Sequence, residues 1–514
     1  MTETRSDFDV VIVGAGPAGI FAALELVRRN GSRVLLLERG PDITRRSCPA
    51  RTTGVCSNCD PCDVTCGWGG AGAFSDGKLT LSTLVGGWLT DFVPQQTLAE
   101  LVGYVDSIWR DYGAPDKVHG GATRQIEKLR REALLHGITL IPSPVRHVGT
   151  ERAWDVLNHM QDDLGRTVTV RTGVSVDRIL TQNGRVTGVT CDDGAQYHSP
   201  AVVVAPGRQG AGWLREEFRR LGLTLHTNAV DIGVRVEVPA VVMEPLTSIL
   251  YESKLVYYSP TFDDQVRTFC MNPYGVVSLE NYGDVITVNG HSYADQRTDN
   301  TNFALLVSTK FTEPFDDSIT YGKSIARLAN LLGEDILVQR LGDLRNGHRT
   351  TADRLRRGVV VPTLRAATPG DLSFALPYRY LRDIMEMLEA MDALAPGVNA
   401  RDTLLYGAEV KFYSSRPELD EGLQTEIGGL YAIGDGAGIT RGLVQASAAG
   451  VIAARSILND GLSAADAPAP ALASAPSAGA HGTSQRSRRS QRSAVERRFA
   501  DEDVGSTGTK RKGS

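Results

Sequence analysis

Apolar and polar positions along this chain switch between strand-like and helix-like periods in an order that repeats strand, turn, helix, strand. Residues 8 to 13 form a compact apolar run that reads as a buried strand, and a helix follows through Leu26. Val34 to Leu37 make the next strand. About 95 to 165 looks helical, with Leu101, Val105 and Ile108 at helical spacing. Residues 168 to 206 alternate as strands, and Asn183-Gly184 supplies a hairpin turn. Residues 225 to 395 mix both patterns. Leu430 to Ile433 is again a short buried strand, with a helix expected from about Gly438.

This order predicts an α/β fold. A Rossmann-like nucleotide-binding domain is assembled from both ends of the chain, residues 1–225 and 401–460, with a helical insertion at about 95–165. An inserted α+β substrate domain spans 226–400, and 461–514 reads as a disordered basic tail.

The glycines give the first strand its chemistry. Gly14, Gly16 and Gly19 stand between the strand and its helix, with Pro17 and Ala18 among them. In such a turn the first glycine bends the chain and the second lets a pyrophosphate approach the backbone. The third lets helix and strand pack closely. The helix start offers unpaired N–H groups and a positive dipole end to the phosphates. Glu38 then arrives where a carboxylate accepts hydrogen bonds from the adenosine ribose. Together these elements predict a bound dinucleotide.

A second signature, Gly434-Asp435-Gly436, narrows the ligand to FAD. An aspartate at a strand end can bond the ribityl hydroxyls of a flavin. Ala446 to Gly450 make one face of the next helix small enough to approach a flat ring. That helix start would stabilise negative charge on reduced flavin. Ala201 to Val204, ending in Ala205-Pro206-Gly207-Arg208, reads as the crossover strand and turn.

With Cys66-Gly67-Trp68-Gly69-Gly70-Ala71-Gly72-Ala73-Phe74-Ser75-Asp76-Gly77-Lys78, Asp231 to Arg235, Gly407 to Tyr413 and Gly434 to Gly442, the chain resembles a family of uncharacterised bacterial FAD-dependent dehydrogenases, also called NAD(FAD)-utilising dehydrogenases. The likeness covers about residues 7 to 458. It implies an FAD fold of the glutathione-reductase type and supplies no substrate. In flavoproteins of that type a glycine loop like 67–78 lines the pyrophosphate and the flavin ring. The alternative is a structural loop whose polar residues bond only their own backbone. The cofactor contacts expected are therefore Gly14, Gly16, Pro17, Ala18, Gly19, Glu38, Arg39, Gly69, Gly70, Ala71, Gly72, Ser75, Asp76, Val174, Ala205, Gly207, Gly434, Asp435, Gly442 and Leu443.

Composition changes this picture little. The 41% apolar and 22% charged content is that of an ordinary globular protein, and no apolar run is long enough to span a bilayer. Met1 to Asp9 lacks the order of a signal peptide, so a cytoplasmic location is expected. The net charge of −5 divides into a tail of +5 from Gln485 to Ser514 and −10 elsewhere. Such a tail could touch nucleic acid or an acidic partner, or remain solvated without a fixed partner.

The cysteines leave several readings open. Cys56, Cys59, Cys62 and Cys66 have the spacing of a [4Fe–4S] run, although Gly67 stands where proline usually follows. Four-thiolate zinc, a Cys59–Cys62 dithiol exchanging electrons with flavin, and thiols merely packed beside the cofactor are the alternatives. Iron and sulfide analysis of anaerobically purified protein separates them.

Lys78, Lys411 and Arg441 are the candidate catalytic residues; the last two could bind an anionic substrate or the flavin's pyrimidine edge. Arg235, His291, His348, Arg349 and Arg365 are further polar candidates in the substrate domain. The leading expectation is an FAD oxidoreductase that dehydrogenates or reduces a small organic molecule by hydride exchange at flavin N5, with NAD(P)H as a possible diffusible reductant. Action on RNA, as in tRNA modification, and FAD-dependent isomerase or cyclase chemistry are the alternatives.

Overall fold

The computed structural model describes residues 7–461, apart from 50–56, 58, 76, 122, 251, 283, 293–296, 312–314 and 316. The tail expected at 461–514 lies outside the described residues except for Gly461.

A five-stranded parallel sheet runs in the order Leu430–Ala432, Ala201–Val204, Val10–Val13, Val34–Glu38, Thr169–Thr172. Both ends of the chain thus supply strands to one sheet. The first four strands are buried along their whole length, which explains their unbroken apolar runs: a parallel sheet covered on both faces has no solvent side to alternate with. The helix Pro17–Asn30 follows the first strand. It opens with proline at the first position, where no N–H is needed, and closes on Gly31 at φ 60°.

The last helix corrects an expectation. It runs Leu443–Asn459, starting five residues after Gly438, because Asp435–Ala437 first makes a separate 3-10 turn. Its small face meets a helix. A Cβ on Gly450 would stand 2.2 Å from the Ala18 carbonyl oxygen. The small residues there let the two helices touch backbone to backbone.

The strands Val176–Gln182, Arg185–Cys191 and Gln196–His198 form an antiparallel sheet. Asn183 and Gly184 turn the first hairpin at φ 52° and 74°, as an Asn-Gly pair requires.

An eight-stranded sheet makes the second layer. Its order is Thr368–Pro369, Leu337–Arg340, Leu404–Lys411, Val230–Pro239, Asn300–Thr309, Gln265–Asn272, Lys254–Tyr258, Ile138–Ile141. Two of these strands depart from the sequence reading. Leu404–Lys411 belongs here, so the return to the parallel sheet comes only at Leu430. Ile138–Ile141, expected within a helical stretch, is the edge strand; its alternating burial has the period of two that a strand needs. Helices do form on either side, at Gln95–Asp111, Arg124–Leu135 and Thr150–Leu164. Separate apolar cores surround the parallel sheet and the eight-stranded sheet. No helix among the described residues is long and apolar enough to cross a membrane.

Candidate functional site

Three turns at the ends of the parallel strands converge. Gly14 has φ 104°, and a Cβ there would stand 2.2 Å from the Ala205 carbonyl oxygen. A Cβ on Gly19 would stand 2.0 Å from the Gly14 carbonyl oxygen. Gly16 is different, since a Cβ there would meet nothing within 4 Å. Two glycines allow close approach, and the one between them faces open space where a ligand can reach the backbone. Gly207 joins the cluster, its carbonyl oxygen 2.4 Å from where a Cβ on Gly436 would be. Ala205 is fixed by its N–H to the Val13 carbonyl at 2.7 Å.

Glu38 does more than await a ribose. Its Oε2 accepts from the Ala15 N–H at 2.7 Å, and Oε1 accepts from Gly40 at 2.9 Å and Gly67 at 2.8 Å. The buried carboxylate therefore ties the first glycine turn to the glycine loop. Gly69 N–H completes the tie by donating to the Ala15 carbonyl at 2.8 Å. Gly70–Phe74 form a 3-10 turn, including Ala71 and Gly72, with Gly70 close to Gly16 and Gly72 against Leu443. Ser75 is taken up by its own loop, donating to the Gly72 carbonyl at 2.9 Å and accepting from Gly77 N–H at 3.2 Å. Arg39 is exposed and pairs with Asp60 at 2.6 Å, while Val174 N–H donates to the Glu38 carbonyl. Asp76 lies outside the described residues.

The second signature presents unpaired polar atoms. Gly434 turns at φ 78° into Asp435, which accepts from the Thr440 hydroxyl at 2.9 Å. Burial pushes the Asp435 carboxyl above its ordinary range, against the pull of Arg208 and Arg441. Gly442, at φ 80°, is open: a Cβ there would meet nothing within 4 Å. Beside it the Arg441 guanidinium lies 3.2 Å from the centre of the Tyr413 ring. Arg441 Nε and Gln445 Oε1 are buried without hydrogen-bond partners. Open backbone at Gly16 and Gly442, with unpaired donors and acceptors at a helix start, fits a ligand that is phosphate at one end and a polar ring at the other.

The eight-stranded sheet brings a network of charge to this place. Lys411, only 3% exposed, lies 2.7 Å from Glu280 and 3.4 Å from Glu409. Burial works to lower its pKa, but the two carboxylates outweigh this and hold it charged. Burial likewise works to raise Glu280, and Lys411 with Arg208 overcomes it, holding the carboxyl down at about 2. Arg235 is wholly buried on Glu409 and also donates to the Cys270 carbonyl at 2.7 Å. Asp231 accepts from Arg267, Ser308 and Tyr413.

Of the sequence candidates, Lys411, Arg235 and Arg441 are thus neighbours in one polar region. Lys78 begins the strand Lys78–Thr80 of a separate three-stranded sheet, and its ammonium lies 3.3 Å from the Met271 carbonyl and 3.9 Å from Glu252. His291 ends the strand Ile286–His291 and is half-buried. His348, Arg349 and Arg365 are exposed. Glu280, Glu409, Asp231, Arg267, Tyr413 and Arg208 were not among the candidates. A signal existed for some of them. Asp231, Arg235 and Glu237 recur at strand spacing between apolar neighbours, and Glu409 and Lys411 do so in the next strand. A charged face on a fully buried strand marks a place where polarity has a function.

Cys66 is buried, Cys48 and Cys62 are half-buried, and Cys59 is exposed. Burial, then the Glu38 carboxylate, pushes the Cys66 thiol up. Among the described residues no group of three or more His, Cys, Asp or Glu side chains is placed to hold a metal ion. Cys56, the remaining member of the run, lies outside the described residues.

Comparison with known families decides the class. A sequence model described as FAD dependent oxidoreductase matches residues 9–303. The chain belongs to the FAD dependent oxidoreductase family. A second model, described as FAD-dependent protein, C-terminal domain-like, matches residues 230–412 and so covers the charged strands of the large sheet. This FAD-dependent oxidoreductase matches none of the curated protein sequences. Among solved structures it is similar to a 3-ketosteroid-Δ4-(5α)-dehydrogenase from Rhodococcus jostii RHA1, at 15% identity, 89% of this chain, 98% of that one and a TM-score of 0.42. It is also similar to an L-proline dehydrogenase from P. horikoshii, at 12% identity, 89% and 94% coverage and a TM-score of 0.39. A glycine oxidase from Geobacillus kaustophilus matches at 14% identity, 89% and 95% coverage and a TM-score of 0.36. Likenesses this distant carry nothing about substrate.

Proposed function

We propose that this flavoprotein dehydrogenates or reduces a small organic molecule by hydride exchange at flavin N5, where the turns of the parallel sheet meet the charged face of the eight-stranded sheet. The observation that supports this reading is the junction of Asp435, Arg441 and Tyr413. Asp435 follows a parallel-sheet strand, Tyr413 follows a strand of the large sheet, and Arg441 touches the ring of Tyr413.

In this reading the parallel-sheet part of 1–225 and the segment from Leu430 to 460 hold the cofactor as a fold of the glutathione-reductase type, and the eight-stranded sheet, which takes most of its strands from 226–400 together with Leu404–Lys411 and Ile138–Ile141, covers it as a substrate domain. Gly16 and the start of Pro17–Asn30 receive the pyrophosphate, and Glu38 the ribose. Asp435 bonds the ribityl hydroxyls, and the start of Leu443–Asn459 faces the pyrimidine edge. Bound FAD supplies the hydride acceptor or donor. The protein's part is orientation and charge. Lys411, held charged by Glu280 and Glu409, stabilises negative charge and accepts no proton.

An anaerobic visible spectrum of the purified protein, followed by NADH, NADPH and a metabolite panel, tests the reading. Flavin absorption that bleaches with one of these, and returns with an acceptor, is the expected result. Turnover without any change in flavin redox state would replace the reading with isomerase or cyclase chemistry.

A further inference from the structure

The stretch from Arg340 to Arg365 holds seven arginines and two aspartates, a charge of +5 in a chain whose net charge is −5. Part of that charge is met within the fold. Arg340 and Arg354 pair with the buried Asp343, and Arg345 lies 3.5 Å from Glu389. Arg356 pairs with Asp353 at the surface. Arg349, Arg357 and Arg365 are exposed and make no ion pair among the described residues. Amid these cations two valines face outward. Val359 is 76% exposed and Val361 70%, while Val360 between them is buried in a small apolar core with Leu404 and Tyr406. The fold holds the segment in this posture from beneath. The Val359 N–H donates to Asp402 at 3.4 Å, the Val361 carbonyl accepts from Asn300 at 2.8 Å, and the Thr363 hydroxyl donates to Glu237 at 2.5 Å. Two aliphatic side chains are thus fixed in water, where any apolar contact would be favourable.

We propose that this face docks the protein onto an anionic lipid surface, as a peripheral contact made by Val359 and Val361 inside a ring of arginines. The chemistry of the two halves matches such a surface. Aliphatic side chains enter the boundary between headgroups and acyl chains, and arginines meet the anionic headgroups around them. A second copy of the chain fits less well, because a two-fold contact through this face would set arginine against arginine. Nucleic acid also fits less well. No aromatic residue lies between Arg340 and Arg365 to stack on a base, and the valines would stand against phosphate. The position of the face leaves the cofactor end of the molecule free. Asn300, which holds Val361, begins the strand Asn300–Thr309, whereas Ser308 near its other end donates to Asp231. Eight residues of strand put about 26 Å between them.

The test is sedimentation of the full chain with vesicles of phosphatidylcholine alone, or of phosphatidylcholine and phosphatidylserine in equal parts. The protein should sediment with the anionic vesicles, stay in solution with the neutral ones, and be released as salt rises from about 0.1 to 0.5 M. Arg349→Ser, Arg357→Ser and Arg365→Ser together should weaken binding about a hundredfold, at roughly fivefold for each charge. Val359→Gln with Val361→Gln leaves the charge unchanged and should weaken it about tenfold or more. All five side chains are exposed, so both variants should keep the circular dichroism and flavin content of wild type. Arg488→Ser, Arg489→Ser and Arg492→Ser in the basic tail form the control. Absence of vesicle binding overturns the proposal, and so does binding that falls in the tail variant but in neither of the others. Tighter binding of polyuridylate than of anionic vesicles, undiminished by the valine changes, would give the face to nucleic acid instead. A lipid-free dimer that the valine changes dissociate, seen by sedimentation velocity, would give it to a second copy.

Discussion

Arg235 and Glu409 face each other across two adjacent strands as a bidentate ion pair, Nε to Oε2 at 2.8 Å and Nη2 to Oε1 at 2.6 Å, with neither side chain exposed. Such a pair is held against the cost of taking both charges out of water, so removing one partner is much worse than removing both. Arg235→Met should destabilise the protein by about 3–5 kcal/mol, because Glu409 keeps only Lys411 at 3.4 Å. Arg235→Met combined with Glu409→Leu should recover a large part of that loss. Urea unfolding of the single and double variants measures both. A double variant no more stable than Arg235→Met would show that the pair's place in the network, and not its unpaired charge, sets the cost.

Glu280 gives the network an acid limit. Burial alone would raise its carboxyl, but Lys411 and Arg208 bring it from an ordinary 4.5 to about 2. A folded-state pKa below the unfolded one stabilises the fold above the unfolded value, and that stability is lost as pH falls through the folded one. Stability should therefore decline between about pH 4.5 and 2. Glu280→Gln should be less stable at neutral pH and show a shallower decline over that window. Thermal unfolding followed across the window reads the difference in slope.

Glu38 links the first glycine turn to the glycine loop through three backbone N–H groups, from Ala15, Gly40 and Gly67. Glu38→Ala orphans all three in a buried place, at about 1–3 kcal/mol for each donor left unsatisfied. FAD should be retained poorly through dialysis even where the protein remains folded by circular dichroism. Glu38→Gln can keep part of the backbone network and should retain more. Flavin content per chain after dialysis is the readout; full retention in Glu38→Ala would move ribose binding to another residue.

The turns were legible in the sequence because their geometry leaves glycine little competition. Gly14, with a carbonyl 2.2 Å from any Cβ, has no substitute that leaves the backbone in place. The crossover strand and the Asn183-Gly184 hairpin were legible for similar local reasons. What escaped were relationships between distant segments. Glu280, on the strand Val276–Asn281 of a separate two-stranded sheet, reaches Lys411 across 131 residues, and nothing within either strand announces the other. The small residues from Ala446 to Gly450 were visible, but not what they meet. Both a flat ring and a helix call for small side chains, and here the partner includes Ala18 and Ala22. Ile138–Ile141 was missed because four residues of alternation are easily read into flanking helical periodicity.

Asp383 lies on the helix Tyr378–Met391, fully buried, with no hydrogen-bond partner for either carboxylate oxygen among the described residues. Burial is the largest influence on it and raises its carboxyl; Ser259 lowers it, Asp264 adds repulsion, and Arg379 pulls the other way. The balance is a carboxyl pushed up to about 7 from an ordinary 3.8. The folded protein therefore holds a proton that the unfolded chain has already lost. Stability is full below the unfolded value and falls by about 1.4 kcal/mol per pH unit as pH rises toward the folded one. This runs opposite to Glu280, whose contribution fails in acid. Asp383→Asn keeps a neutral group of the same shape, so it should remove the decline and leave the protein more stable than wild type above about pH 7. Urea midpoints at about pH 5 and pH 8 decide it. Wild type should lose stability between the two conditions while Asp383→Asn changes much less. Parallel losses in both would mean that Asp383 is already charged in the folded protein and that another group carries the slope.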